Sequence, residues 1–270
     1  MSMMVTAIQA IEWCTRLLAV YVLIDSAEKL YNHRAFRPGG FFGWAALRQH
    51  LFFASRPLPV RRLLDVLFDF RGWMALLLLR GLSGIALLTL PHHPVFGTAG
   101  LLIVFVAGSL VNFRQAPFGA ETENRFALAL TGALLLRSLV PTQLVTEVCL
   151  LFIALYTCVS YVTAGVTKWV DPAWRKGEGL LEVIHSPDLV PLERLAAFFR
   201  RYPGAGRALA WATIGIECLF PLALVAGPPF FWLFLIWGIV FHLTIAVVLR
   251  LGKFFWVWVA TYPAIIFIAQ

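Results

Sequence analysis

Charged side chains are scarce in this chain. Asp, Glu, Lys and Arg make up 13% of its 270 residues, where a soluble domain carries about a quarter. With apolar runs reaching from residue 5 to 269, no room is expected for a separate soluble domain. Cysteine is also sparse. Cys14, Cys149, Cys158 and Cys218 each lie inside an apolar segment with no CxxC pair, which excludes a zinc ribbon and a disulfide framework and leaves reduced, buried thiols. There is no glycine-rich phosphate loop, no HExxH and no Ser-His-Asp order. His92-His93 stands between two prolines without a third ligand nearby, which reads as a surface turn and not a metal site. His33, His50 and His185 read as loop histidines. The first apolar run contains Glu12 and Arg16 and lacks a basic start and a small-residue cleavage site, so no cleavable signal peptide is expected.

What the chain has instead is apolar length: 60% of its residues are hydrophobic. A spanning helix needs about 20 largely apolar residues. Runs of that kind fall near 5–24, 72–90, 96–113, 126–140, 144–165, 208–226, 230–249 and 254–269. Turn signals separate them at Pro91-His92-His93-Pro94, Pro117 to Gly119, Pro141, Gly227-Pro228-Pro229 and Gly252. The expected fold is all-α, a polytopic transmembrane bundle of about eight spans forming one domain over 1–270. Its two long loops, 25–71 and 166–207, hold eight and seven of the basic residues. The 114–125 and 250–253 loops hold two each, and the opposite side only Arg137. The positive-inside rule then places both termini outside and the long loops in the cytoplasm. The net charge of +8 belongs to these loops and does not point to nucleic acid. Residues 41–54 are apolar but too short to span, as an interfacial or re-entrant helix would be. Residues 192–202 form an amphipathic, basic-rimmed pattern suited to anionic membrane lipid.

Ionisable residues within spans are costly and usually pair or line a cavity. Glu12 and Arg16 are four apart on one helix face. Arg80, Glu217 and His242 each fall mid-span. The expectation is one network, with Glu217 facing the bundle interior near His242 and Arg80 or Arg16 as its counter-ion. The bland alternative is that these charges merely hold the bundle together. Before Lys168 runs a polar stripe of Tyr156, Thr157, Ser160, Tyr161 and Thr163, mostly packing glue, with Ser160 and Tyr161 close enough to support the lysine. Lys168 itself is expected just past the helix end, between a glycine turn and Trp169 and Trp174. It reads either as a base in a water-poor corner or as an interfacial anchor binding lipid phosphate.

The stretch Ala164-Gly-Val-Thr-Lys168, then Asp171-Pro-Ala-Trp174-Arg-Lys-Gly177, resembles the active-site lysine segment of vitamin K-dependent γ-carboxylase, a member of the wider HTTM membrane family. Phe241-His242-Leu, followed by Leu251-Gly252-Lys-Phe-Phe-Trp, is similar to the family's histidine helix and its Gly-Phe turn. Glu217-x-x-x-Pro221 is similar to its preceding acidic helix. The resemblance implies Lys168 as the base that deprotonates a reduced quinone and His242 as a second catalytic residue. Glu217, Asn124, Arg80, Tyr161, Trp169 and Trp174 would bind or support the substrate. It also implies a bacterial inner-membrane protein. Departures limit it. Glu123-Asn124-Arg125 stands where the enzyme has Asn-Asn-His, so Asn124 is kept and the histidine is not. The enzyme's large soluble C-terminal part has no counterpart, and the loop charges put Lys168 on the cytoplasmic side. γ-Carboxylation itself is therefore not expected. The expected function is a membrane enzyme acting on a lipophilic, quinone-like molecule. The alternatives are a non-catalytic module that handles a peptide toxin or lipid, and a transporter coupled through Glu217 and Arg80. The absence of detectable inverted repeats counts against the transporter.

Overall fold

A computed structural model describes residues 5–91, 93–118, 122–185, 193–227, 230–248 and 252–270. The turn signals at His92, Gly119 and Pro228-Pro229 lie outside the described residues, as do Leu192 and Leu251. Helices make up the ordered structure, with no strand among the described residues. The chain divides into two compact units, Ile11–Cys149 and Met1–Ala10 with Leu150–Gln270.

The Ile11–Cys149 unit begins within α1 (Ala7–Tyr31). Three short helices follow, α2 (Trp44–Leu47), α3 (Leu51–Ala54) and α4 (Leu58–Phe68), and then α5 (Phe70–Thr89), α6 (Pro94–Gln115) and α7 (Thr122–Leu139). α5 packs on α6, and α6 on α7. The α1 helix runs seven residues beyond the expected end at 24. Asp25, the residue just past that end, is neutralised within the helix by Lys29, one turn on, and by Arg80 of α5. Residues 41–54 form two short helices, not one. His50 starts the second by accepting the Phe52 amide proton through Nδ1 at 3.2 Å. An aromatic core of Trp44, Phe53, Phe68 and Trp73 fastens these short helices to α5. The Arg114 guanidinium is stacked into it, 4.2 Å from the Trp73 ring.

The second unit carries most of α8 (Gln143–Val170), followed by α9 (Pro172–Lys176), α10 (Glu178–His185), α11 (Glu193–Arg201), α12 (Pro203–Leu219), α13 (Phe230–Val248), α14 (Gly252–Val259) and α15 (Tyr262–Ile268). α8 continues through Gly165 to Val170, so Lys168 lies in its last helical turn and not beyond a glycine turn. The helix break comes at Asp171, whose carboxylate accepts the Ala173 amide proton at 2.8 Å and caps α9 with Pro172 at its first position. α11 falls within the amphipathic 192–202 segment, with Ala196 and Phe199 buried.

Among the described residues, six helices are long and apolar enough to cross a membrane: Ala7–Tyr31, Phe70–Thr89, Val95–Phe118, Gln143–Val170, Pro203–Leu224 and Phe230–Val248. The expected fourth and eighth spans are not among them. α7 carries Glu123, Asn124, Arg125 and Arg137 within 18 residues. The eighth run breaks at Thr261, which turns its hydroxyl onto the Trp258 carbonyl, and Pro263 then withholds an amide donor. The distribution of side chains is that of a membrane protein. Large exposed side chains include Leu79, Leu82, Phe152, Trp232 and Ile236, while Asp25, Arg80, Glu217 and His242 are buried. Apolar atoms face outward where lipid would be, and charges face inward.

Candidate functional site

Lys168 and Tyr161 are seven residues apart on α8, two turns along one face. Between them, Gly165 permits close contact with α12. A methyl group there would meet the Cys218 backbone nitrogen at 2.8 Å and the Glu217 Cβ at 3.0 Å. That approach brings the Lys168 amine to Glu217, and Nζ donates to both carboxylate oxygens, at 2.8 and 2.7 Å. The carboxylate is almost fully enclosed, with 3% of the side chain exposed against 19% for the lysine. Glu217 is placed near the end of α12, where the helix tightens to 3-10 geometry over Phe220–Leu224, with Pro221 in its first turn. The Trp174 ring lies 5.4 Å from the Lys168 amine, within cation–π range.

Two turns back along α8, Tyr161 is the centre of a second polar chain. Its hydroxyl is 2.7 Å from the Tyr262 hydroxyl and 2.8 Å from His242 Nε2. Gly238 makes room for both phenols, since a Cβ there would fall 2.2 Å from the Tyr262 oxygen. Aromatic rings close the surroundings. Phe220 stacks on Tyr161 with centroids 3.8 Å apart, and Trp258 stacks on His242 at 4.8 Å. His242 is 2% exposed, and its Nδ1 has no partner among the described residues. Whichever tautomer is present, the ring presents one polar atom that the protein does not satisfy.

The sequence-selected residues thus fall into two groups. Lys168, Glu217, Tyr161, His242 and Trp174 are brought together in one unit. Trp169 is on the same helix but 53% exposed. Ser160 returns its hydroxyl to the Tyr156 carbonyl, as packing glue does. Arg80 and Asn124 belong to the other unit. Arg80 is held by Asp25, and Asn124 accepts from the Tyr21 hydroxyl and donates to Gln115 at 3.1 Å. The counter-ion expected for Glu217 is therefore corrected: it is Lys168. Arg80 pairs with Asp25, and Arg16 pairs with Glu12 at 2.6 Å. Opposite charges in a bilayer select the partner that packing brings nearest, and residue type alone does not say which that is. Tyr262 was overlooked, a lone hydroxyl in an apolar run with no polar periodicity to mark it. Asp25 and Lys29 lie beyond the expected span end at 24, in what reads as a loop, although their i, i+4 spacing is visible in the sequence.

Among the described residues, no three His, Cys, Asp or Glu side chains are grouped to hold a metal ion. Chemically, the Lys168 unit offers an amine and carboxylate that can exchange a proton, plus an imidazole and two phenols inside an aromatic enclosure. No protein-family profile, no curated protein and no solved structure matches the chain.

Proposed function

We propose that this is an integral membrane enzyme of the HTTM type acting on a lipophilic, quinone-like molecule, with Lys168 as its base. The observation that carries the reading is the buried, two-pronged Lys168–Glu217 pair. A lone ammonium is a poor base near neutral pH. Its proton must have somewhere to go, and Glu217 is that acceptor. In a water-poor interior the ion pair loses much of its advantage over the neutral pair. One proton moves from the ammonium to the carboxylate, leaving an amine beside a carboxylic acid. The amine then takes the proton of the substrate hydroxyl, and the resulting oxyanion is held against the new ammonium. The aromatic enclosure suits a flat ring, and the unsatisfied His242 Nδ1 suits a polar substituent on it. A reduced quinone, as the HTTM resemblance implies, has both features. By the loop-charge count the termini lie outside and the basic loops in the cytoplasm.

A second reading, a non-catalytic module that handles a lipid or hydrophobic peptide, rests on the same pair. Both Glu217 oxygens are committed to Lys168, and this ties α8 to α12 whether or not a proton moves. Lys168→Arg separates the two. Arginine keeps the charge and the two-pronged contact but cannot release its proton near neutral pH. The enzyme reading expects the anion absorbance of an added reduced naphthoquinone under anaerobic conditions, abolished in Lys168→Arg at unchanged thermal stability. It is refuted if the wild type shows none, or if the variant retains it. The module reading expects a silent substitution and a lipid or peptide that co-purifies in mild detergent, seen by mass spectrometry.

A further inference from the structure

The Ile11–Cys149 unit contains a polar centre that the proposed chemistry does not use. Arg80 lies near the middle of α5, 2% exposed. Its Nη1 donates to Asp25, while its Nε, also buried, has no partner among the described residues. A guanidinium N–H left dry inside a bilayer is costly. Arg80 lines a cavity of about 10 Å³ together with Gly108, Asn124, Leu128 and Thr131, space for about one oxygen-sized centre. Thr131 is 1% exposed. Its hydroxyl proton is spent on the Ala127 carbonyl at 2.6 Å, so toward the cavity its oxygen can only accept. Arg80 Nε can only donate.

We infer that this cavity binds a single oxygen that carries a hydrogen, accepting from Arg80 and donating to Thr131. The group is a water or the terminal hydroxyl of a lipophilic alcohol. A carbonyl, an ether or a halide satisfies Arg80 but has no proton for Thr131. A methyl group satisfies neither. The oxygen bridges α5 and α7 at mid-helix depth and completes the hydrogen bonding of the buried guanidinium.

Gly108 gives a test with a sign. A Cβ at this position meets only Leu128 Cδ1, at 3.8 Å, so alanine is tolerated sterically. If the cavity were dry, Gly108→Ala would fill it and favour the helix, and the melting temperature would rise. If it binds a bridging oxygen, the methyl displaces that oxygen, and the melting temperature falls by about 2–4 °C. Thr131→Val, which keeps the shape and removes the acceptor, is expected to give a similar fall. In the Thr131→Val background, Gly108→Ala should add no further loss. A rise in Gly108→Ala, or a full additive loss in the double variant, overturns the inference. A high-resolution map of the full chain in lipid distinguishes the sources. Isolated density within hydrogen-bond range of Arg80 Nε and Thr131 Oγ1 means water. Density continuous with a molecule that solvent extraction recovers in stoichiometric amount means an alcohol. A map with neither, or with Arg80 Nε bonded to a protein group, rejects the site.

Discussion

Removing one partner of the Lys168–Glu217 pair should be far worse than removing both. The structure sets the magnitudes. Lys168→Met leaves a carboxylate 3% exposed with no cation, and Glu217→Leu leaves an amine 19% exposed with no anion. Stranding a buried charge costs about 3–5 kcal/mol. The lysine variant should fall at the upper end. Its orphan is the more enclosed, and a stranded lysine can straighten its stem toward a wetter region, as a glutamate cannot. Each kcal/mol lowers the melting temperature by about 2–4 °C for a chain near this length, so each single variant should lose about 6–20 °C. The double variant Lys168→Met/Glu217→Leu replaces the pair by apolar side chains of similar volume. Such replacements are neutral or stabilising by about 1–4 kcal/mol. The thermodynamic cycle should therefore give a coupling of at least about 6 kcal/mol, the two single losses less a double loss of zero. Thermal unfolding of the four proteins in one detergent, followed by circular dichroism, measures it. A coupling below about 0.5 kcal/mol would mean that the two groups do not depend on each other. The contact would then carry neither the stability nor the proton exchange assigned to it.

Gly238→Ala should displace the Tyr262 hydroxyl, because the new methyl would fall 2.2 Å from it; overpacking of this kind costs about 1–3 kcal/mol. Tyr262→Phe in the same chain should recover part of that loss, and a double variant no more stable than Gly238→Ala would refute the crowding argument. The side of the membrane on which Lys168 lies depends on whether α7 crosses. At about 1.5 Å per residue its 18 residues span about 27 Å, close to a bilayer core of about 30 Å. Single-cysteine probes at 93 and 57 should label from outside and from inside, respectively. A probe at Lys176 should label only from inside if α7 crosses, and labelling of 176 from outside would remove α7 from the membrane.

Hydrophobic runs made most of the helices legible, because lipid demands length and apolarity before anything else. They failed where a charge was neutralised by something distant. Asp25 ends an apolar run; Lys29 at i, i+4 is a local sign that the helix goes on, but the cation that lets Asp25 be buried, Arg80, is 55 residues away. The reverse failure is the eighth run. Its composition is apolar throughout, yet Thr261 and Pro263 interrupt it through a side-chain hydrogen bond and a missing donor. Hydropathy records neither. The 41–54 segment reads as one helix for a similar reason, since the His50 cap that divides it is a matter of one ring nitrogen.

The candidate site was legible residue by residue but not as an arrangement. Lys168, Glu217 and His242 were selected because each is an ionisable group in or beside an apolar run. Which of them meet depends on two glycines that carry no chemistry. Gly165 lets α8 reach α12, and the ion pair follows. Gly238 leaves room for two phenols, and the Tyr262–Tyr161–His242 chain follows. Neither glycine is in a turn, so neither needs its backbone freedom. Each is small because another helix occupies the space a Cβ would take, the Cys218 backbone and thiol at Gly165 and two phenol oxygens at Gly238. Small residues at helix contacts are ordinary in membranes. Here they admit a charge pair and a hydroxyl relay in place of a tighter apolar seam. An apolar pair at 168 and 217 would hold the same helices as firmly. The Lys168→Met/Glu217→Leu protein should therefore be folded and stable. If the Lys168 unit is a catalytic centre, it should also be unable to turn over a reduced quinone. A double variant that keeps that turnover would leave the ion pair with a structural role alone.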